Sequence, residues 1–191
     1  MPFSESDTFE RTTFDQVVCD DDLEDISFYR CVFRNASFQS RRLIDCVFDD
    51  CEFIQCNLSL VEIMASVFTG VKFVDCKLLG VNWSGTGGFL SASYNGCIME
   101  HNVFADMNLS RDKFTSCVLA NATFSHTKLR YSVFDDCDLS QCQFHQTDLS
   151  YANFTTSRNY YMNAETNNLK KTVFSLPEAV SLLANLDIVL D

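Results

Sequence analysis

Ten cysteines and three histidines are the residues of this 191-residue chain best suited to redox, metal or nucleophilic chemistry. Metal-binding and redox thiols usually stand in close Cys-x-x-Cys pairs, and the chain contains none. Its local cysteine spacing is five, as in Cys46, Cys51 and Cys56. Over longer stretches Cys56, Cys76, Cys97, Cys117 and Cys137 are separated by 20, 21, 20 and 20 residues. A shared place in a repeating backbone explains that regularity, so the thiols read as core filling. His101, His126 and His145 have no Ser, Cys or Asp partner at catalytic spacing, and no glycine loop of phosphate-cradling type is present. The expectation is a protein that is not an enzyme and uses no cofactor or metal.

A five-residue repeat must position these side chains. From Leu23 a large apolar residue recurs at every fifth position, through Phe28, Phe33, Phe38, Leu43, Phe48, Phe53, Leu58, Ile63, Phe68, Phe73 and Leu78 to Trp83. One residue is then inserted, and the series resumes at Phe89 and Tyr94 and continues to Phe154. A period of five fits neither a helix nor a flat strand. It fits a short extended side followed by a corner. In extended chain the residue two before each centre faces the same way, and it is mostly small: Cys31, Ala36, Cys51, Cys117, Ala122, Ser132, Ala152. The two residues after each centre, such as Arg34-Asn35, Asp49-Asp50 and Asp135-Asp136, are turn formers.

Four sides per coil account for the 20-residue cysteine spacing. The five widely spaced sulfurs should then form a ladder, one per coil, about 4.8 Å apart. That separation lies inside the disulfide window, but a reducing cytosol argues against bridges. The expected fold is all-β, a right-handed, four-sided β-solenoid of about seven coils, with the hand not following from the spacing.

Composition agrees. The chain is 47% hydrophobic and 21% charged, with 18 Phe, 2 Pro and a net charge of −12. Such an acidic balance removes most of the attraction to a phosphate backbone, so direct nucleic-acid binding is not expected. No apolar run reaches the roughly 18 residues of a membrane span, and the opening MPFSESDTFERTTFD is acidic where a secretory leader is basic and then apolar. A cytoplasmic, bacterial protein without membrane contact is expected.

Runs such as CEFIQCNLSL, VKFVDCKLLG, CDLSQCQF and TDLSYANF resemble the pentapeptide repeat family, whose unit is A(D/N)LXX. The resemblance covers roughly Phe9 to the C-terminus and implies a right-handed quadrilateral β-helix. Four segments are expected: an acidic irregular or capping coil at 1-22, the repeat β-helix at 23-154 with a small protruding bulge at 84-88, a terminal coil or linker at 155-174, and a helix with a dimerisation tail at 175-191. Ser175-Leu176-Pro177-Glu178 reads as a capping box opening a short α-helix, with Ala179, Leu182, Leu183 and Leu186 on one face. Its tail FSLPEAVSLLANLDIVL resembles the module through which gyrase-protecting members dimerise, which makes Leu182, Leu183, Leu186, Ile188 and Leu190 the candidate homodimer interface.

The stretch FIQCNLSLVEI with VKFVDCKLLGVNW, together with the tail, is similar to the Qnr and albicidin-resistance type of the family. That resemblance implies a DNA-mimic-like rod acting on a type II topoisomerase, DNA gyrase, and protecting it from fluoroquinolone or albicidin-type inhibitors or toxins. The candidate partner surface is acidic: Asp20, Asp21, Asp22, Glu24, Asp25, Asp49, Asp50, Asp135 and Asp136, with the bulge residues Ser84, Gly85, Thr86, Gly87 and Gly88. The sequence shows no clean stripe, because Arg30, Arg111, Lys128 and Arg130 are interleaved. A structural or adaptor scaffold that binds another protein is the alternative.

Overall fold

The computed structural model describes residue 3 and residues 6–87 and 90–186. They form a β-solenoid of about 7 turns in which every strand pairing is parallel and each coil lies on the one before. Four sides repeat around the coil. Side 1 stacks Phe9, Phe28, Phe48 and Phe68, and side 2 stacks Phe14, Phe33, Phe53, Phe73, Tyr94, Phe114 and Phe134. Side 4 pairs Leu23 with Leu43 and Ile63, and later Phe124 with Phe144. Side 3 is held by single bridges such as Ser37↔Asn57↔Lys77↔Ile98↔Val118.

The interior is solid. Apart from the two ends, the centres are almost fully buried, and rings of one side stack on the next coil: Phe33 on Phe53 at 4.6 Å, Tyr94 on Phe114 at 5.0 Å, Phe134 on Phe154 at 4.7 Å. Neighbouring sides meet edge-on, as Phe28 and Phe33 do at 5.2 Å and 75°. Aromatic pairs in these geometries add about 0.5–1.5 kcal/mol each beyond area burial, which rationalises the phenylalanine excess.

Corners follow one rule. The second residue after a centre adopts the left-handed conformation at nearly every repeat, whether it is Asn35 (φ 52°), Asp50 (φ 51°), Gly80 (φ 65°) or Asn121 (φ 61°). Asn, Asp and Gly tolerate that conformation best. The left-handed residue's amide then donates to the next coil, as Asn35 does to the carbonyl of Ile54 at 3.0 Å and Asp50 to that of Thr69 at 2.8 Å. At most positions where Asp or Asn precedes the centre, its Oδ1 accepts the amide two residues on, as with Asn57 and Ser59 (3.0 Å) and Asp138 and Ser140 (3.0 Å). This is the physical content of the D/N position in the repeat.

The same corners give the cysteines a task beyond volume. At many corners no turn bond reaches the carbonyl of the centre, and the small inward residue of the following coil donates to it. Cys51 reaches the Phe28 oxygen at 3.3 Å, Cys56 that of Phe33 at 3.3 Å, and Cys76 that of Phe53 at 3.3 Å. Ser66 does the same to Leu43 (2.9 Å), Ser157 to Phe134 (2.9 Å), and Thr127 and Thr147 to Phe104 and Phe124. The inward slot thus favours small side chains, and those that carry a proton add a hydrogen bond to a buried carbonyl.

Four details depart from the regular repeat. Phe9↔Phe28, Phe14↔Phe33 and Val18↔Ser37 are each 19 apart, whereas Leu23↔Leu43 are 20 apart, so the first coil lacks one residue between Val18 and Leu23. Cys19 there takes a centre position, and Phe3 closes the mouth of the coil, its ring 5.1 Å from Phe14 and 5.2 Å from Phe28. At the insertion, Phe89 lies outside the described residues, and Leu90 stands opposite Phe68. Val71 then pairs with Ala92, so Ser91 alone spans a corner that elsewhere takes two residues. Of the bulge expected at 84-88, the part up to Thr86 lies against the preceding coil: Trp83–Thr86 form a 3₁₀ turn, and a Cβ on Gly85 would stand 2.0 Å from the Ile63 carbonyl oxygen. Finally, the C-terminal helix Glu178–Leu186 is 3₁₀ rather than α, and Glu178 accepts the amide of Asn159 (3.1 Å) instead of closing a capping box. A helix seated on a solenoid's last coil spends its capping carboxylate on that coil's unpaired amides.

Replacing Cys51 by Ala removes the thiol's bond to the Phe28 carbonyl, which the parallel pairing with the next coil also engages, and is expected to lower stability by about 1 kcal/mol in urea unfolding. Cys51→Ser keeps a donor and should lose markedly less. Equal losses for the two variants would show that volume alone matters at this slot.

Candidate functional site

A filled interior moves any function to the outward side chains. The acids expected to form the partner surface fall on different edges. Asp20, Asp21, Asp22, Glu24 and Asp25 surround the first coil's side 4 and are exposed. Asp49 and Asp50 lie at the corner between sides 1 and 2, and Asp135 and Asp136 at the corner between sides 2 and 3. They do not form one stripe.

Several of these carboxylates are engaged. Asp22 accepts the Arg42 amide at 2.8 Å and its Nε at 2.8 Å, and these bonds hold its carboxyl below the usual range. Arg30 stands 4.0 Å from Asp50 and 3.9 Å from Glu10. Asp136 has Arg158 at 3.4 Å, and Asp135 accepts the Thr156 hydroxyl at 2.8 Å. Exposed pairs of this kind add little stability but reduce the local negative field. Asp20, Asp21, Glu24 and Asp25 form the densest exposed acidic cluster named from sequence.

Of the bulge, Ser84 donates to the Ala105 carbonyl (2.9 Å), Thr86 is buried with its hydroxyl on the Trp83 carbonyl (2.8 Å), and Gly87 is exposed. Gly88 lies outside the described residues. The dimer candidates are partly described: Leu182 packs against the core, Leu183 is exposed, the side chain of Leu186 is outside the described set, and so are Ile188 and Leu190. The ladder residues Cys56, Cys76, Cys97, Cys117 and Cys137 follow one another coil by coil, and all ten cysteines are free and buried. Burial pushes the thiols of Cys51 and Cys142 up to about 12, which keeps them protonated as donors and poor nucleophiles. Among the described residues no three His, Cys, Asp or Glu gather in a metal-binding group, and no helix is long and apolar enough to cross a membrane. His126 and His145 meet edge-on at 5.9 Å on one outer corner.

Two features were not read from the sequence. Asp112 occupies the inward slot before Phe114, where its neighbours carry Cys, Ala, Ser or Thr. Its Oδ2 and the hydroxyl of the fully buried Tyr94 have no hydrogen-bond partner among the described residues. Burial raises the Asp112 carboxyl from 3.8 to about 7, and burial, helped by the Asp112 charge, raises the Tyr94 hydroxyl. A charged residue two before a centre was the available signal. The second feature is a basic and aromatic edge at the corner between sides 1 and 2, visible only when residues 20 apart are aligned: Arg111, Tyr131, Tyr151 and Lys171.

Parallel coils, left-handed corners and an aromatic core that fills the axis among the described residues define a four-sided β-solenoid. Residues 117–155 match the pentapeptide repeats family in eight copies. No curated protein matches the chain. Two trypsin-treated forms of QnrB1, a plasmid-mediated fluoroquinolone resistance protein, are similar in structure at 15% and 16% identity, with TM-scores of 0.64 and 0.68. Each match covers 96% of this chain, and 100% and 98% of the other. HetL, a pentapeptide repeat protein involved in heterocyst differentiation regulation from the cyanobacterium Nostoc sp. strain PCC 7120, is similar at 17% identity and a TM-score of 0.61, over 88% of this chain and 86% of its own. At such identities the likeness is one of fold. Residues 117–155 therefore carry pentapeptide repeats, and the described residues share the fold of pentapeptide repeat structures.

Because the folded state raises the Asp112 pKa, it binds a proton that the unfolded chain releases between pH 3.8 and about 7. This contribution to stability is complete below that window and is lost as pH rises through it. Asp112→Asn is therefore expected to raise the thermal midpoint at pH 8 and to flatten its fall between pH 4 and 7. A variant less stable than the parent at pH 8 would contradict the burial of an uncompensated carboxyl.

Proposed function

We propose that the protein is a non-enzymatic, DNA-mimic-like binder of a type II topoisomerase, DNA gyrase foremost, that modulates the enzyme or protects it from quinolone or albicidin-type inhibitors or toxins. The observation that carries this reading is a solid rod of net charge −12 whose fold matches a fluoroquinolone resistance protein over almost its whole length. A filled axis offers no substrate pocket, so action by surface contact is the mode the geometry favours. The densest acids, Asp20 to Asp25, sit at the N-terminal mouth and give the rod an end able to compete for a basic groove. The test is gyrase supercoiling with and without a quinolone in the presence of the purified protein. Relief of inhibition, or a change in supercoiling, at micromolar levels is expected; no effect on gyrase or topoisomerase IV would remove the reading.

A second reading has its own support. HetL shares the fold and is involved in heterocyst differentiation regulation, so a likeness of fold alone does not single out drug resistance. An adaptor role predicts pull-downs free of topoisomerase subunits and enriched in one other protein.

The homodimer belongs to the same proposal. Leu176 (82%), Val180 (43%) and Leu183 (36%) expose apolar surface on the C-terminal segment, and such surface at a rod's end favours a two-fold partner. Charged residues at Leu183 and Leu186 are expected to turn a dimer into a monomer by light scattering. An unchanged mass would place the contact elsewhere.

A further inference from the structure

We propose that the corner between sides 1 and 2, from Ser91 to Lys171, is a docking strip for an extended acidic peptide segment of a partner protein. Arg111, Tyr131, Tyr151 and Lys171 hold the same corner position in four successive coils, tied by amides of Arg111, Tyr131 and Tyr151 that donate to the carbonyls of Arg130, Ser150 and Lys170 at 2.9, 3.1 and 3.0 Å. The two tyrosine rings stack at 4.8 Å and 14°. The Arg111 guanidinium lies 5.8 Å from the Tyr131 centroid, that of Arg130 lies 6.0 Å from it, and the Lys171 ammonium lies 5.5 Å from that of Tyr151.

Charge gives the strip its meaning. Arg111, Lys113, Arg130, Lys170 and Lys171 crowd this edge and are exposed, in a chain with only 14 Lys and Arg against 26 Asp and Glu. The acids facing it are Asp148, 3.5 Å from Arg130, and Asp112, whose Oδ2 is turned out of solvent. At its head the edge opens into a notch of about 270 Å³ where Ser91 alone spans the corner, and Lys72, Arg111 and Lys113 line that notch. The left-handed corner conformation that the coil imposes, at Tyr131 (φ 58°) and Tyr151 (φ 61°) as elsewhere, sets the two rings one above the other in consecutive coils, and Tyr131 is 46% exposed.

Chemistry selects the occupant. Cations or the neighbouring ring cover the faces of Tyr131 and Tyr151, so nucleotide bases have no open ring to stack on. What projects is guanidinium, ammonium and phenol, which together donate hydrogen bonds to carboxylates. A duplex would extend beyond the strip into the acidic remainder of the rod, whereas a short acidic segment stays within it and within about one Debye length, roughly 8–10 Å. This inference does not depend on topoisomerase binding and is read without that enzyme.

The experiment is fluorescence anisotropy of the full chain with a labelled dodecamer of alternating Glu and Gly, compared with a single-stranded oligonucleotide and with a Lys-Gly dodecamer. The acidic peptide should bind best and lose affinity as salt rises. Arg111→Glu with Lys171→Glu should weaken it by about tenfold or more while the thermal midpoint holds. Arg111→Gln with Lys171→Gln serves if charge reversal prevents folding. Asp135→Asn with Asp136→Asn, on another corner, should leave affinity unchanged. Failure of the acidic peptide to bind, equal or tighter binding of the oligonucleotide, or indifference to the Arg111 and Lys171 changes would overturn the proposal.

Discussion

A left-handed residue at each corner is the constraint on which the rest of the molecule depends. It bends an extended chain sharply every five residues and directs its own amide to the coil above, so the bend and the stack are made by one conformation. A left-handed L-residue costs about 1–2 kcal/mol unless it is Gly, Asn or Asp, and coils of four corners repeat that cost throughout the rod. Parallel hydrogen bonds, ring stacking and burial of two side chains in five offset it. Stability is therefore shared between neighbouring coils, and the ends need separate closure, provided by Phe3 at one mouth and the Glu178–Leu186 segment at the other.

The same bend decides the chemistry of the interior. At many corners a thiol or hydroxyl of the following coil, two residues before a centre there, donates to the carbonyl of a centre in the coil before it. A cysteine is small enough for the slot, apolar enough for the core and still a donor. The cysteine content thus follows from the size, polarity and hydrogen bonding of the inward slot. Asp112 shows the limit of the rule: a carboxylate fits the slot but leaves its Oδ2 without a hydrogen-bond partner among the described residues, and burial raises its pKa.

Much of this was legible in sequence because period, slot size and turn chemistry are local. The centres from Leu23 to Trp83, the small inward residues and the four-sided coil all follow from spacing. What was not legible depended on contact between coils. The packing of Gly85 against Ile63 and the replacement of a two-residue corner by Ser91 arise from the coil beneath, which no local pattern reports. The capping box at Ser175 to Glu178 failed for the same reason, since Asn159 captured its carboxylate. For the candidate surface, acids grouped by number in the chain, such as Asp49 with Asp135, separate onto different corners. Arg111 and Arg130 were visible as interruptions, and became an edge only once Tyr131 and Tyr151 were seen beneath them.

Outward positions are released from the packing rules, and their charges are free to diverge from edge to edge. The N-terminal mouth is acidic, the corner between sides 1 and 2 is acidic at Asp49 and Asp50 and basic from Arg111 onward, and the C-terminal segment exposes apolar side chains. A rod of uniform charge can attract a partner but leaves it free to rotate and slide. One edge of opposite sign removes that freedom, because a partner drawn to the acidic surface meets repulsion in any register that sets its basic groups on Arg111, Arg130 or Lys171. Net charge sets the range of the attraction, and the placement of the few cations sets the orientation in which it is satisfied.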